Sequence, residues 1–516
     1  MTMPGPTGDP LAGTLDSYLA RLHAEELGGV GVPGELFLDT WPEMAIRAVP
    51  DPSAADLGGL ELPDGPRAVR AGTLSAVDAV EFALDRIRAT DPLVQAWARV
   101  DDRAGQAAML LDKEFVRGAW RGTLHGMPVG IKDLVDVVGL PTAAGSRHWS
   151  GPDRRIAETD AGVVALLRSA GAVVLGKTTT HEFAFGGTTS PTRNPHDLHC
   201  IPGGSSGGSA AAIAAGHVRL AVGTDTCGSV RIPSSYCGTV GFLPSVGQLP
   251  RDGIVPLAWS LDRVGLLTSD VVRLAWAAWS LGLVTRPPAR RAAAGSSLRG
   301  LQVGIPHDAL DEPIAPGVVA RFQDAVDRLA WAGVRTQVVD VRPSPTAVAA
   351  GLAIFLAESL DFHRERWARR PELFGDDVRA TLTLAEQLSG ADYVRAQRIR
   401  RALRDEMVGV FAGVDLLLTP TMPSGAPSAR QARTGVLSVG GTDVSLADAH
   451  LRYNVVANLA ALPAGTQPMG LDERRMPLGL HWMGPHGSDE RILAAMVAFE
   501  SLTSQGKLSA RSPSAV

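Results

Sequence analysis

The sequence predicts an α/β fold with a central mixed, mostly parallel β-sheet covered by helices on both faces. Three observations predict it. Between Met127 and Gly187 short apolar runs alternate with helical periodicity: MPVGI, then Ala161 to Arg168 ending at Gly171, then AVVL. The same rhythm returns beyond residue 300. Strand, helix, strand in succession places parallel strands in one sheet with the connecting helices on its faces. The third observation is bulk composition: 45% hydrophobic and 20% charged residues are ordinary for globular proteins and exclude a fibrous or largely disordered chain. At 516 residues the chain has room for two to four domains or one large α/β body.

In chain order, residues 1–70 are rich in proline, glycine and leucine with one amphipathic stretch, Leu15 to Leu27, and read as an accessory segment laid on a main body over 71–502. Ser75 with Asp78 three residues on makes a capping box for a helix whose core face is Val77, Val80, Ala83, Leu84 and Ile87, running until Pro92. Beyond residue 300 come strand-like LQVGI, a helix from Val318 to Ala332 stopped by Gly333, strand-like TQVVDV, a helix from Ala391 to Phe411, strand-like VDLLLT, LGLHWMG, and a closing helix from Asp489 to Leu502. Residues 285–300 read as an exposed connector, 422–447 as a long polar loop of the kind that serves active sites, and 503–516 as a disordered tail.

Charge and cysteine content narrow the function classes. A net charge of −5 offers no general attraction for nucleic acid or anionic lipid, and neither partner is expected. The longest apolar run, Ala347 to Ala357, falls short of the roughly 20 residues that span a bilayer. The N-terminus lacks the basic and apolar regions of a secretory signal, so a cytoplasmic location is the default expectation. Cys200, Cys227 and Cys237 have no CxxC spacing and read as free thiols, so no metal or cofactor is expected. The run from Gly171 to Thr178 matches GxxxxGK[ST] formally, but a helix precedes the first glycine and the AVVL between the glycines is strand-like, which is no phosphate cradle.

The chemistry is concentrated in residues 202–241. A Gly/Ser loop empties into a small-residue helix, Ala210 to Ala215, closed by Gly216; structurally, Ser205 or Ser206 could simply cap it. Farther on, GTDTCGS follows the strand-like Leu220 to Val222, where Asp225 could form an Asx-turn. Upstream, Lys132 ends a strand-like run in GIKD.

Together these pieces resemble the amidase signature family of serine hydrolases. The resemblance covers roughly residues 72–500 and rests on HGMPVGIKD, VVLGKTTTHEFAFG, PGGSSGGSAAA, GTDTCGSVRIP and AWSLDRVG. It implies the amidase signature fold, with Ser229 as nucleophile, Ser205 as bridging serine and Lys132 as base. Such a triad suits amide cleavage: a desolvated lysine can take the serine proton, and the leaving nitrogen must be protonated before its bond breaks. The resemblance also implies an oxyanion hole from the amides of Thr226, Cys227, Gly228 and Ser229, with Asp225 and Arg231 pinning that loop. Phe183, Phe185, Gly204 and the 422–447 loop are candidate substrate contacts, and Arg430 or Arg433 could meet a carboxylate. This chain departs from the family at Cys227, where glycine is usual, and at Leu243-Pro244-Ser245, where Lys-Pro-Thr is frequent.

The expected function is hydrolysis of a small-molecule carboxamide through a seryl acyl-enzyme, releasing ammonia or an amine. Amide transfer, as in the tRNA-dependent amidotransferases of this family, is the alternative in the same chemistry. From other classes stand a catalytically silent scaffold and a thiol hydrolase built on Cys200 or Cys227. A homodimer is open.

Overall fold

The computed structural model describes residues 12–24, 69, 72, 74–151, 154–286, 298–311, 313–341 and 344–509. Its centre is an eleven-stranded sheet. The strands, in chain order, are β1 (Trp97–Val100), β2 (Pro128–Lys132), β3 (Val173–Thr178), β4 (Leu220–Asp225), β5 (Val240–Leu243), β6 (Arg263–Thr268), β7 (Gln302–Pro306), β8 (Arg335–Val339), β9 (Leu416–Pro420), β12 (Ala464–Leu471) and β13 (Pro477–Met483), with β10 (Val436–Val439) and β11 (Thr442–Ser445) forming a separate hairpin. The sheet order is β1-β3-β2-β4-β6-β5-β12-β13-β9-β7-β8.

Alternation along the strands decides which layer each side chain enters. Leu220 and Val222 of β4 join one core while Ala221 between them joins the opposite one, and Leu416 and Leu418 of β9 are split from Leu417 in the same way. On the first face lie α4 (Gly162–Ser169), α7 (Val271–Ser280), α8 (Pro316–Trp331) and α15 (Asp489–Ser509). The other face carries α2 (Ala76–Val94), α3 (Ala104–Val116) and α5 (Gly207–Ala214) over one half. Over the other half lie α1 (Ala12–Ala24), α9 (Ser344–Arg369), α11 (Gly390–Gly413) and α14 (Val455–Leu459). Four short or peripheral helices, α6 (Arg231–Cys237), α10 (Asp376–Ala385), α12 (Ala429–Arg433) and α13 (Leu446–Leu451), complete the set among the described residues.

The α/β class and the mixed sheet covered on both faces are as expected. The parallel share is smaller than the sequence suggested: parallel ladders join β3-β2-β4 and β8-β7-β9, whereas the other six are antiparallel. The reason lies in β6, β5, β12 and β13, which stand between the two parallel blocks and pair antiparallel with each other and with both blocks. Their sequences all contain glycine and carry no strand-helix-strand rhythm.

Other expectations shift at their edges. Ser75 and Asp78 form the capping box, and α2 runs through Pro92 to Val94. The closing helix continues to Ser509, past Leu502, since no proline interrupts it, so the expected tail shrinks to 510–516, outside the described residues. Most of the 285–300 connector, 287–297, also lies outside them. Residues 422–447 are not a structureless loop: they hold α12, the β10–β11 hairpin and the start of α13. Gly440 and Gly441, both at positive φ, make the two-residue turn that pairs Val439 with Thr442. The α9 stretch Pro345–Arg369 is long and apolar enough to cross a bilayer by composition, yet it packs in the core against α11, α10 and α1.

Candidate active site

The site is built where parallel strands end together. Ile131 of β2 pairs with Val222 of β4 and Lys132 with Thr178 of β3, so Lys132 and the GTDTCGS turn leave the sheet on the same edge. In parallel sheets the crevice beyond the carboxyl ends of the strands is where ligands gather.

Lys132 is fully buried. Its Nζ donates to Ser205 Oγ at 2.7 Å, to Thr224 Oγ1 at 2.8 Å and to Thr224 O at 3.4 Å. Burial lowers its pKa from the ordinary lysine range to about 7, against the opposing pull of the Asp225 and Asp262 carboxylates. At neutral pH the amine is therefore present in both protonation states, as a base requires. The simple capping role for the two serines fails. No side chain caps α5; Ser205 Oγ receives Lys132, and Ser206 Oγ donates to Thr224 O at 3.2 Å. Both hydroxyls turn toward the strand end instead of the helix.

Ser229 is half-buried, and its hydroxyl makes no hydrogen bond among the described residues. What joins its loop to that of Ser205 is backbone: Ser206 N–H donates to Ser229 O at 3.1 Å. The Gly204–Ser205 peptide is cis.

The loop carrying Ser229 is held from within. Asp225 and Arg231 form a fully buried, two-point ion pair, Nε to Oδ2 at 3.1 Å and Nη2 to Oδ1 at 2.9 Å. Asp225 also accepts from the amides of Gly228 at 2.8 Å and Val230 at 3.1 Å. Burial alone would raise this carboxyl, but Arg231 and the amides hold it well below the usual carboxylate range. Arg231 goes on to donate to Asn454 O, Asn458 Oδ1 and His481 Nε2, and Asn458 returns a bond to Asp225 O at 2.9 Å. The expected clasp is thus present and larger than a pair. One amide of the expected oxyanion set already has a partner, since Gly228 N–H donates to Asp225. Gly228 sits at φ +123° with Asn454 against it, so only glycine fits.

Three groups escaped the sequence reading. Thr224 supplies the second partner of Lys132. Asp262 accepts from Thr226 Oγ1 at 2.6 Å and from the Leu257 and Ala258 amides, and burial pushes its carboxyl up to about 6. Lys177, the lysine of the false phosphate loop, is buried in β3 with Nζ 2.9 Å from Asp133. All three stand inside the motifs quoted above, but a motif names a residue without its partner, and these partners needed the fold to find them.

The proposed contact residues divide. Phe183 is fully buried against Trp149, Phe374 and His363, a core residue rather than an open pocket wall, because its loop turns inward at φ +46°. Phe185 is half-buried and meets Phe355 edge-on. Gly204 is packed against Thr189 and Gly186 beside Ser205. Arg430 and Arg433 are exposed on α12. Burial, with Asp225 and Asp262 nearby, pushes the Cys227 thiol pKa up and keeps it protonated. Cys200 is buried with its thiol raised to about 11, first by burial and then by Asp197.

Comparison with known proteins agrees with this geometry. The Amidase family model matches residues 78–493. An amidase of Pseudomonas putida is 35% identical over 84% of this chain and 94% of its own. A glutamyl-tRNA(Gln) amidotransferase chain of Synechococcus sp. (strain RCC307) is 34% identical over 84% of this chain and 95% of its own. A solved amidase structure superposes with a TM-score of 0.78 at 32% identity, covering 86% of this chain and 99% of that one. With the family match spanning the sheet and both serine loops, this chain belongs to the amidase family and is an amide-hydrolysing enzyme.

Proposed function

We propose that this amidase cleaves a small-molecule carboxamide through an acyl-enzyme on Ser229, with Ser205 and Lys132 moving the proton. The observation that carries the reading is the buried 2.7 Å bond from Lys132 Nζ to Ser205 Oγ on a lysine whose pKa has fallen to about 7. Ser229 Oγ attacks the carbonyl carbon while its proton passes to Ser205 and the proton of Ser205 passes to Lys132. The amides of Thr226, Cys227 and Ser229 receive the oxyanion, an effect worth about 2.7–4 kcal/mol per donor in serine hydrolases. Lys132 returns a proton through Ser205 to the nitrogen, the C–N bond breaks, and the amine or ammonia leaves. Water then attacks the ester by the same proton path and frees the carboxylate. The hydrogen bond from Ser229 Oγ to Ser205 Oγ that this path needs forms when substrate seats, since catalytic hydrogen bonds are often completed only in the substrate complex.

The test is mass spectrometry of the intact protein and its peptides after trapping with slow amide substrates. The acyl mass belongs on the Ser229 peptide; acyl on Cys227, or none on Ser229 while turnover proceeds, sinks the assignment. The similarity to a glutamyl-tRNA(Gln) amidotransferase chain favours a second reading, transfer of the released ammonia or acyl group to another acceptor. Carboxylate formed by the isolated chain in plain buffer supports hydrolysis, whereas product formed only with an added amine acceptor or partner supports transfer.

A further inference from the structure

Beside the two serine loops lie three buried polar atoms without a hydrogen-bond partner among the described residues: Tyr236 Oη, His450 Nε2 and Asn454 Oδ1. Burying such a group without a partner is costly, so a cluster of them asks for a ligand. Their carriers come from separate elements, α6, α13 and the turn before α14, yet converge on the catalytic loops. The Tyr236 ring packs on Gly203, two residues before Ser205. The His450 ring lies where a Cβ on Gly187 would stand, and Gly187 in turn packs on Gly204. Asn454 packs on Gly228, next to Ser229. Tyr236 and His450 meet edge-on with centroids 5.8 Å apart, while Asn454 donates its amide to His450 O and Thr421 O and leaves its oxygen unpaired.

Resting on the proposed acyl-enzyme site, we infer that Tyr236, His450 and Asn454 bind a second, neutral hydrogen-bonding group of the substrate, a carboxamide in type, carried on the acyl side of the scissile amide. The complement follows from the atoms. Asn454 Oδ1 is an acceptor, the phenol donates or accepts, and a neutral imidazole nitrogen does either. A carboxamide offers two N–H donors and one oxygen to such a set. Burial holds the His450 ring neutral, its pKa lowered to about 4, and keeps the Tyr236 phenol protonated. None of the three carries a charge at pH 7, and Arg474, whose charge reaches Tyr236, already pairs with Asp472, so a carboxylate placed there would lose its water without a free counter-charge.

The experiment compares kcat/KM for aliphatic diamides of increasing chain length with two matched series: amides in which isopropyl replaces the distal carboxamide, and the corresponding half-acids. At the chain length that fits, the wild type prefers the diamide by about tenfold or more over both, because a site built to hydrogen-bond rejects the analogue lacking the group. Tyr236→Phe and Asn454→Leu reduce that preference about tenfold, mainly through KM, and His450→Gln retains more of it than His450→Leu. The thermal midpoint of Tyr236→Phe stays level or rises, since it removes an unpaired buried hydroxyl. Equal handling of all three series by the wild type at every length overturns the inference, and so does an unchanged preference in the Tyr236→Phe and Asn454→Leu proteins. Ser229→Ala separates the two levels: residual turnover there overturns the acyl-enzyme reading, whereas the diamide preference ratio judges the subsite by itself.

Discussion

Lys132 shows how the surroundings of a single residue change its acid-base chemistry. Its type and the GIKD context were legible, but the lowered pKa comes from burial that only the packed sheet supplies. Two outcomes follow. The rate should fall on the acid side with a midpoint near pH 7, where the amine takes up a proton and ceases to be a base; a flat profile from pH 6 to 8 contradicts the role. Lys132→Met should cost at least about 1000-fold in kcat, roughly 4 kcal/mol, while the protein stays folded by circular dichroism, since a buried amine gives way to an apolar chain of similar length. Cys227 poses the opposite case, a reactive residue type made inert: Cys227→Gly should keep at least about a tenth of the activity, a barrier change of roughly 1.4 kcal/mol or less, whereas Ser229→Ala is dead. Asp225 was legible as an Arg231 partner, but not as the acceptor of the Gly228 amide. Asp225→Asn leaves Arg231 a buried cation without its counter-charge, and chemical denaturation should show a loss of about 3–5 kcal/mol.

At the scale of the element, helices announced themselves better than strands. The capping box at Ser75 and the 3.6-residue periods of α8 and α11 are local signals, and those helices lie where expected. The strand β5 pairs with β12 through Leu243 and Ala464, and β6 pairs with β4 across the intervening α6 and β5, so neither has a local mark. The β10–β11 hairpin was there to be read, since Gly440-Gly441 between two short β-type runs is a turn signal, but the polar composition of 422–447 hid it. Because both glycines hold positive φ, Gly441→Val should destabilise the hairpin by about 1–2 kcal/mol. Limited proteolysis between 436 and 445 should then accelerate while the sheet resists; unchanged cleavage means the turn tolerates a side chain.

For the whole molecule, α1 lies outside the stretch matched by the family and still belongs to the body. Tyr18 and Leu22 are buried against α9 and α11, Arg21 pairs with Asp448 at the start of α13, and Arg395 donates to the carbonyls of Leu22 and His23. Burying two such side chains contributes about 3–5 kcal/mol. Removing residues 1–24 should therefore lower the thermal midpoint by several degrees and loosen α13, the helix that carries His450. Equal melting of the truncated and full chains would show that α1 is dispensable.

By itself the sequence determined the layered α/β class, the main helices, and the three residues on which the chemistry is proposed, because capping, periodicity and the glycine-serine motifs act over a few neighbouring positions. Tertiary structure alone decided the rest. It decided that Lys132 is buried, that the Gly228 amide faces Asp225, that Phe183 is core, and that Arg231 ties residues 225, 454, 458 and 481 into one cluster. Those outcomes depend on burial and on partners up to 250 positions away. Desolvation and hydrogen-bond competition are properties of the packed neighbourhood, and no window along the chain contains it.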